Sequence, residues 1–457
     1  MKFNLGSARS SGLFFTSFLA YSQIPLVIYV LLVAPLGQCE VEGTDLVHSF
    51  LYEHSRRFFD FVSRTTLVRK LFGGDEPITT SKLIENQGYP SETHRVTTED
   101  GFILEMHRIP YGLRQKYPQQ QSRPPVIVFH GNAQSSADWV VNTPNEDALG
   151  FYLADSGYDV WLVNQRGNEY STRHVSLTTS DSKFWDHSVH EMGVYDVPAM
   201  INYITAYTGH QKVHYIGFSL SCSSILIALA KRPEFNHKVG AVVLLAPGVF
   251  FQGFFFGLAK FAAPAAGLYE VFGKFLGGIP LIPHFVTNLL HRVLPVYCHP
   301  KVDLLGTCVL FIRIFFGDDR GLITQDKMPR ITMVAPSTFS VKSAIHGLQQ
   351  VGTGGFHEYD YGISRNKLIY GRTRPPDYNL TNVRVPVALM VGEKDFLATA
   401  RDAKILARKL PNVIDFHVVN NPNFYHLDFC YGRGTSKLVN SRVVQTLDAY
   451  SYGWSYG

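Results

Sequence analysis

Residues 213–231 read VHYIGFSLSCSSILIALAK, and the fold turns on that stretch. VHYIGF is a β-branched and aromatic run of strand type, and it leads without a spacer into an apolar pattern of helical type. Ser219 stands at the junction, with Gly217 two residues before it and Ser221 two residues after. A strand that folds straight back into a helix needs very small neighbours on both sides of the turn. Such a turn presents its central side chain at the sheet edge and points the first helical amides at it. The pattern is nearly G-x-S-x-G, with serine in place of the second glycine. It marks Ser219 as a candidate nucleophile and the Leu220 amide as a candidate oxyanion donor. An ordinary strand–helix turn that happens to contain serine is the competing reading.

Further runs of strand type lie on either side: PPVIVFHG (124–131), YDVWLVNQRG (158–167), VGAVVLLAPG (239–248), VPVALMVGEKD (385–395) and VIDFHVVNN (413–421). All are read as buried strands, with room between most of them for a crossover helix. This predicts an α/β architecture, a mostly parallel sheet flanked by helices. THRVTTEDGFILEMHRI (93–109) predicts a hairpin turning at Glu99-Asp100-Gly101, and a long helix is expected over roughly 187–207. Residues 248–384 hold no clean strand series and read as a mainly inserted cap, so the core divides into 81–247 and 385–450.

Serine is a poor nucleophile at neutral pH without an adjacent base, and that base needs an acid to fix its tautomer. The expected order along the chain is Ser, acid, His. Asp395 ends the strand VPVALMV, and His426 follows VIDFHVVNN within NFYHLDF. Asp395 could instead cap the helix that follows, and Asp428 is a rival carboxylate on the wrong side of His426 for this order. A second oxyanion donor is expected after the first core strand, where His130-Gly131-Asn132 points to the Asn132 amide; Gly131 permits close backbone approach. His187, His190 and Glu191 superficially suggest a zinc pair, but their order matches no known helical zinc motif, and the segment reads as ordinary helix surface.

Taken together, GYPSETHRVTTEDGFILEMHRIPYG (88–112), FHGNAQSSADWV (129–140), LADSGYDVWLVNQRGN (153–168), FWDHSVHEMGVYDVPAMINYI (184–204), FHEYDYG (356–362), PPDYNLTNVRVPVALMVGEKDFLA (375–398) and FYHLDF (424–429) resemble the acid lipase family of gastric and lysosomal lipases. The resemblance spans residues 81–447. It implies an α/β-hydrolase core with a cap, and hydrolysis of acylglycerols or sterol esters through an acyl-serine. Carried over residue by residue, it gives Ser219 as nucleophile, Asp395 as acid, His426 as base, and Asn132 and Leu220 as oxyanion donors. It also implies a short-loop disulfide between Cys298 and Cys308, which could otherwise be two free thiols. The chain departs from the family's usual G-H-S-Q-G at Phe218, Leu220 and Ser221, and from its usual apolar residue after His-Gly at Asn132. Strain at Ser221 and lowered activity are therefore expected alternatives. The runner-up reading is a catalytically weakened lipid-binding or storage protein, and a third is an esterase for soluble substrates.

The chain has 457 residues, 46% hydrophobic and only 17% charged, below the roughly 25% of an ordinary soluble protein. With 33 Phe it excludes a disordered or coiled-coil protein, and five Cys exclude a disulfide-built scaffold. A net charge of +5 without a basic stripe argues against nucleic acid. Residues 1–39 carry apolar patches over 13–36 and read as a signal peptide, with a signal anchor as the alternative; a polar extension, 40–80, follows. A secreted or lysosomal location follows from that leader, and Asn379 in Asn-Leu-Thr is a glycosylation candidate. The VFFQGFFFGLAKF run (249–261) is expected partly to line the acyl site, with neutral lipid or its interface with water as the partner. No cofactor, metal or obligatory protein partner is expected.

Overall fold

A computed structural model describes residues 77–113, 123–253, 278–317 and 321–451. The expectations for the leader, for most of the 40–80 extension and for Phe254–Phe261 fall outside these residues. Thr80 itself is fully buried, its hydroxyl 2.8 Å from that of Ser136, so the core begins at least one residue before 81.

The described residues form one nine-stranded sheet. Its strands are β1 (Glu92–Thr97), β2 (Phe102–Ile109), β3 (Pro125–Phe129), β4 (Asp159–Val163), β5 (Arg173–His174), β6 (Val213–Phe218), β7 (Val239–Leu245), β8 (Val387–Val391) and β9 (Val413–Val418). The order is β1-β2-β4-β3-β6-β7-β8-β9, with β5 paired to β2. β1, β2 and β4 are antiparallel neighbours, and every pairing from β4 through β9 is parallel. The expected strands and hairpin are all present, the hairpin turning where Gly101 adopts φ 98°. The two-residue β5 is too short for any periodicity to reveal.

Side-chain alternation along the strands builds two cores. Val126, Val128, Ile216, Val243 and Met390 face one side. Ile127, Phe129, Tyr215, Val242 and Leu389 face the other, where they meet α1 (Val197–Thr208) and α2 (Leu220–Lys231). Each aliphatic side chain fully buried contributes about 1.5–3 kcal/mol, more than the ~1–2 kcal/mol of backbone entropy its residue loses. That balance favours the largely apolar strands β3, β4, β6, β7 and β8, which are buried along their whole length. The expectation of a buried strand is corrected at β9, which is only half-buried. It is the edge of the sheet, with no strand beyond it to cover it.

Between β7 and β8 the described residues add no strand to the sheet. They are mainly helical, including α3 (His284–Tyr297), α4 (Thr307–Phe316), α5 (Val341–Thr353) and α6 (Ile363–Tyr370). Cys298 at the end of α3 is bonded to Cys308 at the start of α4, as the family resemblance implied. Cys298, Val309, Ile312, Met328 and Ile331 share one apolar cluster with the sheet, so the inserted region and the sheet pack around continuous cores.

The single helix expected over 187–207 is corrected to a helical path with a widened turn. Val189–Glu191 passes through a π turn, Met192–Asp196, into α1. Pro198 lacks the N–H that a regular helix would give to Val194, and Asp196 turns inward to Arg166. A Cβ on Gly193 would lie 2.6 Å from Ile227, so α2 packs directly on this turn. The reading of this segment as helix surface is also overturned. His187 is buried, and Glu191 accepts hydrogen bonds from the Ser188 amide and hydroxyl at 2.6 and 2.9 Å.

Arg166 is the charged anchor of this side of the molecule. It is 1% exposed, gives Nε to Asp196 at 2.9 Å and Nη1 to Asp100 at 2.6 Å, and lies 4.2 Å from the Phe102 ring centroid. It thereby joins the hairpin turn to the π turn. Removing one partner from a buried pair leaves an uncompensated charge, which costs about 3–5 kcal/mol. Arg166→Ala is expected to lower unfolding free energy by that amount in urea titration; a loss below about 1 kcal/mol would show that the cluster is not an anchor.

Candidate active site

The turn at Ser219 has the strained form the sequence suggested. Ser219 sits at φ 55°, ψ −116°, between β6 and α2. A non-glycine residue there costs about 1–3 kcal/mol. The backbone around it is held by Ser219 N–H to Leu245 O at 3.0 Å, and by Gly248 N–H and Cys222 N–H to Ser219 O at 3.1 and 3.2 Å. At about 0.5–1.5 kcal/mol net each, these bonds suffice to hold the strained conformation. A Cβ on Gly217 would stand 3.1 Å from the Cys222 amide, which explains the need for a small residue there.

The three residues expected to act together do meet. His426 Nε2 lies 2.9 Å from Ser219 Oγ, and His426 Nδ1 lies 2.7 Å from Asp395 Oδ2. Because an ionised carboxylate can only accept, Nδ1 carries the proton and Nε2 offers its lone pair to the serine hydroxyl. Asp395 is 3% exposed, and its other oxygen accepts from the Leu397 and Ala398 amides, both at 2.9 Å. Asp395 is not a helix cap; Thr399 caps α7 (Ala400–Lys409) instead. The rival Asp428 accepts from the Tyr425 amide at 2.7 Å and so braces the loop that carries His426. Phe218 packs against the imidazole, ring centroids 4.9 Å apart and planes inclined by 38°, and restricts its rotation.

Leu220 opens α2, in the first turn, where backbone amides lack intrahelical acceptors. On the other flank, a Cβ on Gly131 would stand 3.1 Å from Ser219 Cβ, so the loop bearing Asn132 lies against the nucleophile. Its shape is set from several directions. The Gly131 amide donates to Gln134 Oε1 at 3.0 Å, and Ala133 sits at φ 56°. Burial pushes His130 down to about 4, so its imidazole is neutral. It donates Nδ1–H to Gly131 O at 2.8 Å, while Nε2 accepts from Gln165 N and Asn168 Nδ2. His130 is a brace for the loop.

Sequence reasoning missed a buried polar network beneath this loop. Gln134 Nε2 donates to Tyr431 Oη at 3.1 Å, the Tyr431 hydroxyl donates to Asp138, and the Ser135 amide donates to Asp138 at 2.6 Å. The network ties the Gly131-Asn132 loop to the segment after His426. Residues 138 and 431 lie too far apart in the chain for spacing to link them. The inserted region grips the same loop: Ser337 N–H donates to Ala133 O at 2.7 Å, and its hydroxyl donates to Glu169. Lys327 reaches Asn142 Oδ1 at 2.7 Å and Tyr431 O at 2.9 Å.

Other expected positions fall elsewhere. Cys222 and Cys430 are buried free thiols. Asn379 is exposed, its Oδ1 accepting from the Thr381 hydroxyl at 2.7 Å. Among the described residues no cluster of His, Cys, Asp or Glu forms a metal site.

A family model described as a partial α/β-hydrolase lipase region matches residues 80–143, and one for the α/β-hydrolase fold matches residues 124–278. The chain is similar to Lipase 3 of Drosophila melanogaster, at 35% identity over 83% of this chain and 95% of that protein. It is similar to human gastric triacylglycerol lipase at 34% identity, over 83% and 94% of the two chains. Lipase lipl-5 of Caenorhabditis elegans is 35% identical over 82% and 93%.

Burial pushes Asp138 up to about 7, against the pull of its hydrogen bonds from Tyr431 and Ser135. A carboxyl group raised on folding stabilises fully below its unfolded value, near 4, and loses that contribution as pH rises through about 7. Asp138→Asn cannot ionise. The melting temperature of the unaltered protein relative to D138N should therefore fall between pH 4 and pH 8. A difference that stays constant across that range would mean Asp138 is ionised throughout.

Proposed function

The chain belongs to the acid lipase family of α/β-hydrolases and is a lipase, and on that premise we propose that it cleaves neutral lipid esters, acylglycerols or sterol esters, through an acyl-serine formed on Ser219. The observation that carries the reading is the continuous relay from Asp395 through His426 to Ser219, at 2.7 and 2.9 Å.

Ser219 Oγ attacks the ester carbonyl carbon as its proton passes to His426 Nε2. The carbonyl oxygen becomes an oxyanion facing the Asn132 and Leu220 amides, and Asp395 stabilises the imidazolium. On collapse the bond to the alcohol oxygen breaks, and His426 returns the proton to the departing alkoxide. Water then repeats the sequence on the acyl-enzyme, releasing fatty acid and free Ser219. Oxyanion donors act through the backbone, so Leu220 and Asn132 satisfy this chemistry despite departing from the usual family residues. No cofactor enters any step.

The similarity to a gastric triacylglycerol lipase supports acylglycerol as substrate. The Cys298–Cys308 bond and the exposed Asn379 sequon support passage through an oxidising compartment to a secreted or lysosomal destination. The apolar leader supports the same route.

Ser219→Ala should lower turnover of emulsified triacylglycerol or sterol ester by on the order of 10⁴–10⁶-fold while leaving the circular dichroism spectrum and melting temperature in place. Turnover within tenfold of the unaltered enzyme would remove Ser219 from the mechanism. A preference for dissolved short esters over emulsions would instead favour a soluble-substrate esterase.

A further inference from the structure

Ser221 stands where the family usually has glycine, and the structure gives its side chain a use. A hydroxyl offers one proton and two acceptor positions. Ser221 Oγ accepts the Phe218 amide at 2.8 Å, and its own proton faces Phe129 O at 2.8 Å and Phe218 O at 2.9 Å. The side chain is 5% exposed, so water cannot readily substitute. The backbone behind it is pinned as well, since Ser221 O accepts from Tyr215 Oη at 3.0 Å and from Ser224 Oγ at 2.8 Å.

The location matters more than the number of bonds. Phe129 is the last residue of β3, and Phe218 is the last of β6. The two strands are in parallel register with Phe129 opposite Gly217, and beyond that point they part. β3 continues into the Gly131-Asn132 loop, while β6 turns through Ser219 to Leu220. The Ser221 hydroxyl stands in the fork and joins the Phe218 N–H to the Phe129 carbonyl, a relay one residue past the last paired position. A glycine there would leave the fork with no side-chain link. The loop is otherwise tied by Gln134 and His130 to Gly131 and by Ser337 to Ala133, none of which reaches β6.

We propose that Ser221 is a positioning residue of the oxyanion site: its hydroxyl clamps the ends of β3 and β6 together and thereby sets the separation of the Asn132 and Leu220 amides. This rests on the assignment of Ser219 as nucleophile and of those two amides as oxyanion donors. Oxyanion stabilisation depends on donors placed 2.7–3.1 Å from the developing charge, and loss of a whole donor costs about 10²–10³ in rate. Loosening both donors without removing either has a smaller effect, and one confined to steps in which the oxyanion forms. Ser221 is buried behind the turn, so the effect falls on the chemical steps and not on substrate binding.

The test compares Ser221→Gly and Ser221→Ala with the unaltered enzyme, with active sites counted by a fluorophosphonate that bonds to the nucleophile. Counting sites separates slower chemistry from a smaller folded fraction. Both variants should show kcat per labelled site reduced roughly tenfold, KM within about twofold, and phosphonylation slowed in parallel with kcat. Ser221→Gly cannot clash, because it removes atoms only. If both variants keep the unaltered kcat per site and phosphonylation rate, or if KM rises while kcat holds, the clamp is refuted. If the unaltered enzyme takes no phosphonate on Ser219, the assignment of the nucleophile fails instead, and the two failures are thereby told apart.

Discussion

Everything at the centre of this molecule depends on one strained residue, Ser219, held at φ 55° between a fully buried strand and a buried helix. The strain is tolerable only because both flanks are fixed. β6 lies between β3 and β7 in the middle of a parallel sheet, and α2 is pressed against the Met192–Asp196 turn at Gly193. A less rigid frame would let the turn relax, and the hydroxyl would leave the line from Asp395 through His426. The tight turn also places the first amides of α2 beside the Ser219 side chain, so a single constraint positions both.

Around that point the structure relies on buried polar groups that join distant parts of the chain. Asp138 and Tyr431 link the oxyanion loop to the His426 segment, and Ser337 and Lys327 link the inserted region to both. Burial raises Glu169, like Asp138, to about 7. Such groups are costly to ionise and cheap to keep neutral, so their placement favours the folded state on the acid side of neutrality. Desolvation lowers His130, His284 and His291 to about 4, and these work in the opposite sense. The two sets therefore pull stability in opposite directions as pH rises from 4 towards 7.

The strands and the triad were legible because each rests on a local signal. A β-branched run ending at a turn residue marks a buried strand, and Ser219, Asp395 and His426 each follow such a run. What was hidden depends on tertiary neighbours. β9 reads as a strand like its companions, yet Asp415 and His417 alternate along it and it lies half-buried at the sheet edge, a place that is a property of topology. The helix over 187–207 looks continuous in sequence, and its widened turn reflects Asp196 bonding to Arg166 across the fold. Ser221 looked like a steric intruder, since nothing in the sequence shows that Phe129 O waits opposite its hydroxyl. His187 and Glu191 carry no sign of burial until Ser188 and the inserted region are placed around them.

An acyl-serine mechanism requires the ester's acyl group to pass through Ser219. Rapid-quench reaction with excess p-nitrophenyl ester, followed by mass analysis of the digested protein, tests it most directly. An acyl mass increment is expected on the peptide containing Ser219, formed no more slowly than nitrophenolate appears and lost as fatty acid is released. An acyl group on another residue, or turnover of the ester with no acylated peptide at any time, would contradict it.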